Sequence, residues 1–243
     1  MPPPPAANSG TVHPARPAAL RGGAPGFLGI LMLETRFPRP PGDVGHPSTW
    51  TMPVRYRRVP GASPQRVVRE RSAGLLLPFV AAAQALVDEG ARAITTGCGF
   101  LVLFQRELAA ALPVPVWTSS LLLLPELAAL RPGVITADAA ALSADHLRAA
   151  GAPANTPVQG LPEGGSLQRT LLEDLPTLDQ PAAQRELLAA ARQLRDRHPE
   201  VGALVLECTN LPPYAQALRE ASGLPVHDLT SLVHQRWRAL DGA

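Results

Sequence analysis

The sequence predicts an α/β fold of two pseudo-symmetric, doubly wound parallel-sheet lobes, with the active site in the cleft between them. Two observations lead to this prediction: strand-like apolar runs alternate with helix-like runs along the chain, and one block of sequence occurs twice. Such alternation is typical of parallel sheets with helices on both faces. A chain of 243 residues is long enough to bury the cores of two small lobes.

The chain divides into three predicted regions. Residues 1–26 are rich in Pro, Ala and Gly and contain no continuous apolar stretch, which favours a disordered tail over a secretory signal. Lobe 1 is predicted over residues 27–131 and contains Cys98, and lobe 2 over residues 132–243 contains Cys208. We expect the final helix to cross back onto lobe 1.

The predicted elements occur in a regular order. Residues 27–34 are apolar on both faces, as in a buried parallel strand, and the Pro- and Gly-rich residues 35–61 are long enough for a lid or binding loop. Ser63 and Pro64 predict a helix start, and the helix continues to about Glu89. Later strands are predicted over residues 93–96, 114–117, 134–137, 203–206 and 225–228. Later helices are predicted over residues 101–111, 121–130, 143–150, 181–197, 212–221 and 231–240.

Composition narrows the possible functions. A net charge of +2 with 4% aromatic residues argues against a nucleic-acid-binding surface. The chain contains Arg but no Lys, and this bias carries no functional weight. No apolar run reaches the roughly 18 residues of a membrane span. The two cysteines do not form a disulfide framework, so we expect a cytoplasmic protein with reduced thiols.

The internal repeat carries the functional prediction. Residues 93–98 align with residues 203–208, and the alignment continues without a gap for the next 24 residues. Cys98 and Cys208 therefore each end a predicted strand and begin a predicted helix. The leading strands of the two lobes also match, since residues 29–34 align with residues 133–138 from a glycine to a carboxylate.

The repeat places the two thiols at equivalent positions. Parallel sheets bind ligands beyond the carboxyl ends of their strands, so Cys98 and Cys208 are expected to face each other across the cleft, with Glu34 and Asp138 nearby. A helix N-terminus lowers the pKa of a thiol. Two thiols on opposite sides of a ligand are able to remove a proton from one face of a carbon and return one to the other, without metal or pyridoxal cofactor.

Around both cysteines, in residues 95–99 and 206–210, the chain resembles the aspartate/glutamate racemase superfamily, which also includes hydantoin racemases, maleate isomerases and arylmalonate decarboxylases. The resemblance implies a two-thiol proton shuttle, a substrate carboxylate held by loop amides and hydroxyls, and a homodimer. Thr209 matches a threonine that binds the substrate carboxylate, and Glu34–Thr35 resembles an acid-plus-hydroxyl pair at the first strand.

The sequence also departs from the glutamate racemase pattern. Gly99 and Phe100 stand where those enzymes have Asn-Thr, and Asn210 replaces a histidine. Phe100 therefore predicts a more apolar pocket than that of a glutamate racemase.

These patterns predict an isomerase, a cofactor-independent racemase or epimerase of a small carboxylate such as an amino acid, with Cys98 and Cys208 as catalytic residues. Two alternatives remain open: a Cys-dependent isomerase or decarboxylase resembling maleate isomerase or arylmalonate decarboxylase, and a non-catalytic carboxylate-binding protein. No metal site, cofactor, nucleic-acid partner or membrane partner is expected.

The candidate substrate-binding residues are polar or lie beside the cysteines: Glu34, Thr35, Gly99, Phe100, Thr118, Ser119, Asp138, Thr209 and Asn210. For Glu34, Asp138, Thr118 and Ser119, helix capping is an equal alternative to substrate binding.

Overall fold

A computed structural model describes residues 26–242 of the chain. This part contains two four-stranded parallel sheets flanked by helices, which confirms the predicted α/β class. Except for Gly26, the predicted disordered tail over residues 1–26 lies outside the described residues.

The two sheets have the same topology. The strands in chain order are β1 (Phe27–Met32), β2 (Val54–Arg58), β3 (Ala91–Thr96), β4 (Val116–Trp117), β5 (Pro132–Thr136), β6 (Val158–Gly160), β7 (Ala203–Leu206) and β8 (Val226–His227). The order is β2-β1-β3-β4 in the first sheet and β6-β5-β7-β8 in the second, and all neighbouring strands are parallel. This equivalence is what the internal repeat predicts.

Helices connect the strands and cover the sheets. The α-helices of the described chain are α1 (Leu76–Asp88), α2 (Gln105–Ala111), α3 (Ala144–Ala149), α4 (Ser166–Leu172), α5 (Gln180–Arg197), α6 (Ala215–Ser222) and α7 (Leu229–Asp241). The longest, α5, buries Ala183, Leu187, Ala190 and Leu194, whose spacing of three or four residues places them on one face against the second sheet.

Two equivalent glycines let a helix approach each sheet closely. A Cβ atom added at Gly29 of β1 would lie 3.0 Å from Leu86 of α1. The equivalent atom at Gly133 of β5 would lie 2.8 Å from Leu194 of α5. The repeated glycine of the sequence therefore has the same packing role in both lobes.

Helix α7 packs on the first sheet although it follows the last strand of the second. Its residues Leu229, Leu232 and Trp237 belong to one buried cluster with Leu28 and Ile30 of β1. The C-terminal helix therefore joins the two lobes by apolar contact.

Two edge strands are not predicted from the sequence. Strand β2 lies within the predicted loop over residues 35–61, and β6 lies in a segment with no predicted element. Three of the five residues of β2 are Arg, in a Pro-rich region, and β6 has three residues. Short or charged strands are common at sheet edges, where one side is exposed, and they lack the apolar run of a central strand.

Two predicted helices are interrupted. Between residues 63 and 89, a π-helical turn over Gln65–Arg69 precedes α1, and Arg71 and Ser72 adopt positive φ angles between them. Left-handed backbone cannot continue an α-helix. The helix predicted over residues 121–130 consists only of 3-10 turns over Ser120–Leu123 and Ala128–Leu130.

Replacing Gly29 with valine should destabilise the protein by about 1–3 kcal/mol, because its new side chain would overlap Leu86 and Ile94. Denaturant unfolding followed by circular dichroism measures the change. The control Leu77→Ala, at an exposed side chain, should alter stability by less than about 0.5 kcal/mol. An equal effect of both substitutions would contradict the packing role of Gly29.

Candidate active site

The two cysteines lie at equivalent ends of the two sheets. Cys98 follows β3 and has extended backbone immediately before a 3-10 turn over Gly99–Phe104. Cys208 lies two residues beyond the end of β7. The nearby backbone N–H groups of Phe100 and Asn210 act to lower the pKa values of Cys98 and Cys208, respectively. Both cysteines are free and partly buried.

Both sulfur-bearing residues line one cavity between the lobes. Its polar lining includes Glu207, Thr209 and Asn210. Its apolar lining includes Leu33, Phe37, Val68, Phe100, Leu171 and Leu172. The cavity volume is about 30 Å³, roughly the volume of one water molecule.

Glu207 is a buried carboxyl group in this cavity that is not among the predicted site residues. Its side chain is fully buried, and Oε2 accepts a hydrogen bond from the Thr136 hydroxyl at 2.7 Å. Burial raises the pKa of Glu207 to about 8, although the Thr136 hydrogen bond opposes this shift. A carboxylate directly after a wholly apolar strand is the sequence signal that would have identified it.

The thiols have raised pKa values, whereas their placement at helix starts predicts lowered ones. Burial, followed by the adjacent Glu207, raises the pKa of Cys98 to about 12. The same two causes raise the pKa of Cys208 well above its usual value. Desolvation therefore outweighs the stabilisation of a thiolate by backbone N–H groups. The helical turns after both cysteines are also short and 3-10 in type.

A chain of polar contacts orients Cys208. Its sulfur lies 3.4 Å from Asn210 Oδ1 as a hydrogen-bond donor, and Asn210 Nδ2 donates to Asp43 Oδ2 at 2.7 Å. Asp43 is almost fully buried and forms an ion pair with Arg39 at 2.9 Å. Because Asp43 accepts from the amide nitrogen, the amide oxygen of Asn210 faces the sulfur and favours the S–H form of Cys208.

The structure brings five predicted site residues to the cavity: Cys98, Phe100, Cys208, Thr209 and Asn210. Thr209 also donates a hydrogen bond from its hydroxyl to the Gly97 carbonyl at 2.7 Å. Gly99 lies directly against Glu207, where an added Cβ atom would be 2.4 Å from Oε1.

The other predicted binding residues lie outside the cavity lining and bond to the protein itself. Glu34 accepts from the Gly61 N–H, and the Thr35 hydroxyl accepts from Arg39. The Thr118 hydroxyl donates to Gln105. Ser119 and Asp138 accept backbone N–H groups of the turns after them, in the manner of caps.

The Arg-bearing segment after β1 fastens the lobes together. Asp174, just after α4, accepts hydrogen bonds from the backbone N–H groups of Arg36 and Phe37 at 2.6 and 3.2 Å. The Arg36 side chain also pairs with Asp174 at 3.2 Å. Phe37 and Leu172, which lie beside these contacts, also line the cavity. We call the contacts of Asp174 with Arg36 and Phe37 the latch. Arg55 and Arg57 instead pair with Glu89.

Sequence comparison gives one consistent result. A dimethylsulfoniopropionate lyase from Durusdinium sp. clade D is 31% identical over 214 residues, which cover 83% of this chain and 70% of that protein. The chain belongs to the dimethylsulfoniopropionate lyase family. Dimethylsulfoniopropionate lyases 6 and 7 of Emiliania huxleyi (strain CCMP1516) are 29% and 28% identical over 83% of this chain, which spans 56% and 63% of their lengths. No protein-family model matches the chain.

Membership of the dimethylsulfoniopropionate lyase family corrects the predicted activity. The prediction of an isomerase, a racemase or epimerase, is wrong because the curated relatives are lyases. The paired-cysteine motif predicts proton removal next to a carboxylate, but it carries no information on the fate of the resulting carbanion. A returned proton gives a racemase, whereas loss of a neighbouring group gives a lyase.

Solved structures confirm the predicted fold. Arylmalonate decarboxylase superposes with a TM-score of 0.55 at 16% identity, over 88% of this chain and 91% of that one. A glutamate racemase isoform from Bacillus anthracis gives a TM-score of 0.55 at 15% identity, over 88% and 81% of the two chains. The lyase family member described here therefore has the aspartate/glutamate racemase fold. Within residues 26–242, no helix is both long and apolar enough to cross a membrane.

Replacing Asp174 with glycine should expose the cavity thiols more often. The backbone φ of 53° at Asp174 suits glycine, while the latch contacts are lost. Because Arg36 is exposed and the pair is screened, we expect labelling of Cys98 and Cys208 by an aromatic disulfide reagent to accelerate only about three- to tenfold. Stopped-flow absorbance measurements at constant pH give the rate.

The matched control for the latch is Asp145→Gly, which removes an exposed ion pair between Arg71 and Asp145. This pair also joins the two halves of the chain, but neither residue lines the cavity. Equal acceleration in both variants would show general loosening and contradict a latch at the cavity mouth.

Proposed function

We propose that the protein is a lyase that cleaves dimethylsulfoniopropionate into dimethyl sulfide and acrylate. The observation that carries this proposal is the pair of thiols lining one small cavity in a member of the dimethylsulfoniopropionate lyase family. The names of the relatives supply the substrate, and the cavity supplies groups suited to its chemistry.

The reaction is a β-elimination. The substrate carries a carboxylate at one end and a dimethylsulfonium group on the carbon β to it. A base takes a proton from the α-carbon, and the freed electron pair forms the carbon–carbon double bond. As the double bond forms, the C–S bond breaks, and its electron pair leaves with dimethyl sulfide. One proton passes to the protein, and no oxidant or reductant takes part.

The charge of the cavity suits this substrate. Burial raises the pKa values of Cys98, Cys208 and Glu207, so all three groups are predominantly neutral near pH 7. A neutral cavity admits a substrate carboxylate without repulsion between like charges. The sulfonium cation of the bound substrate stabilises a nearby thiolate, because an opposite charge within a few ångströms favours the ionised form.

The surroundings favour Cys98 as the base. Arg39 lowers the pKa of Cys98, whereas Asp43 raises the pKa of Cys208. Cys208 is further held in the S–H form by the oxygen of Asn210. In this proposal the Cys98 thiolate removes the α-proton, and Cys208 remains a thiol on the other side of the substrate.

The apolar wall suits the departing end of the substrate. Phe100 lies on the cavity lining, and aromatic rings attract cations with little hydration. The cavity volume of about 30 Å³ is smaller than the substrate, so in this proposal the cavity widens when the substrate binds. Closure afterwards excludes water from the elimination.

Cys98→Ser should lower the rate of dimethyl sulfide release by at least about 100-fold, because a serine hydroxyl is far harder to ionise than a thiol and so rarely supplies a base. Cys208→Ser should have a smaller effect, since its hydroxyl still donates to Asn210. Headspace gas chromatography with dimethylsulfoniopropionate measures the rate, and acrylate should appear in equal amount.

Absence of dimethyl sulfide from the unmodified protein would refute the proposed lyase function. A variant pattern in which Cys208→Ser is inactive and Cys98→Ser is almost fully active would instead assign the base to Cys208. Circular dichroism of both variants controls for folding.

A further inference from the structure

Glu207 lies where the two lobes meet. It separates the end of β7 from Cys208, and its side chain has no exposed surface. Its backbone carbonyl and its Oε1 atom both lie against Gly99, next to Cys98. The carboxyl group is close enough to both cysteines to raise the pKa of each.

The two carboxyl oxygens have different environments. Oε2 accepts a hydrogen bond from Thr136, whereas Oε1 is buried with no hydrogen-bond partner. Within the described chain, no Arg or His forms an ion pair with Glu207. An ionised carboxylate in this position would be an uncompensated buried charge, which is strongly unfavourable. The neutral acid, with its proton on Oε1, fits the site better.

We propose that Glu207 is a catalytic residue of the lyase reaction, acting as a neutral carboxylic acid whose Oε1–H donates a hydrogen bond to the substrate carboxylate. This inference rests on the proposed function and adds a third group to the two thiols. As the α-proton leaves, negative charge spreads onto the substrate carboxylate. The hydrogen bond from Oε1 therefore strengthens towards the transition state, as at an oxyanion hole.

Gly99 is a requirement of this arrangement. Any side chain at position 99 would place its Cβ atom 2.4 Å from Oε1 and 2.2 Å from the Glu207 carbonyl. The absence of a side chain leaves room for Glu207 to approach the cavity. Gly99 is also a departure from the racemase pattern that the sequence alone does not explain. The missing side chain at Gly99 is therefore what allows the Glu207 carboxyl group to occupy its buried position.

The pH dependence is determined by the groups around Glu207. Cys98 and Cys208 are the titratable side chains that face it, and the Arg39–Asp43 pair acts on those two sulfurs. The productive form contains a thiolate and a neutral Glu207. Below about pH 8, Glu207 stays protonated and the rate rises about tenfold per pH unit with the thiolate fraction. Above about pH 8, the thiolate fraction still rises, but the fraction of neutral Glu207 falls in the same proportion. The rate therefore levels off.

The Glu207→Gln variant distinguishes a hydrogen-bond donor from a base at position 207. The amide oxygen accepts from Thr136, and the amide nitrogen donates into the cavity at every pH. We expect this variant to lose less than about tenfold in dimethyl sulfide release at pH 7, and its rate to keep rising beyond pH 8. Glu207→Leu, which has no donor, should lose about 100- to 1,000-fold. The exposed Glu200→Gln, near the opposite end of β7, is the matched control and should keep the plateau of the unmodified protein.

Three results would overturn the inference while leaving the lyase function intact. These are near-complete inactivity of Glu207→Gln, a plateau in that variant at the same pH as in the unmodified protein, and full activity of Glu207→Leu. Failure of the proposed function is distinct, because then the unmodified protein releases no dimethyl sulfide at any pH. Infrared difference spectra of the unmodified protein and Glu207→Gln test the protonation state without turnover. The protonated-carboxyl band at pH 7 should be present only in the former.

Discussion

The close approach of the ends of β3 and β7 is the constraint on which the site depends. The Thr209 hydroxyl donates to the Gly97 carbonyl, and the Ser120 hydroxyl donates to the Leu206 carbonyl at 2.6 Å. Glu207 fits against Gly99 between these contacts. Because each strand end is covered by the other lobe, both thiols are largely shielded from water, and their pKa values rise for that reason.

The parts of the fold that depend on burial on both faces are predictable from the sequence. Central strands such as β1 and β7 are continuous apolar runs, and the repeat of Gly29 at Gly133 reflects the same helix approach in each lobe. The edge strand β2 escapes prediction because its Arg side chains are stabilised by exposure and by pairing with Glu89 rather than by a core. Edge pairing depends on a neighbour distant in sequence, which local composition does not reveal.

The site is predictable only in part. Equivalent positions in a repeat bring Cys98 and Cys208 to one cavity, as symmetry requires. Glu207 has no carboxylate at its counterpart, since Gly97 occupies that position in the repeat, and symmetry therefore gives no reason to select it. The fate of the deprotonated substrate is equally unpredictable from the sequence, because it depends on the substituent at the β-carbon of the substrate. The same thiol pair is compatible with a racemase or a lyase.

The raised thiol pKa values have a further consequence for the proposed reaction. Acrylate is an electrophile that alkylates thiolates readily but reacts poorly with thiols. The base receives its proton in the same event that creates acrylate, and departure of the sulfonium removes the cation that had favoured the thiolate. Burial then holds the sulfur in its unreactive form until the product escapes. The desolvated cavity would in this way protect the enzyme from covalent inactivation by its own product.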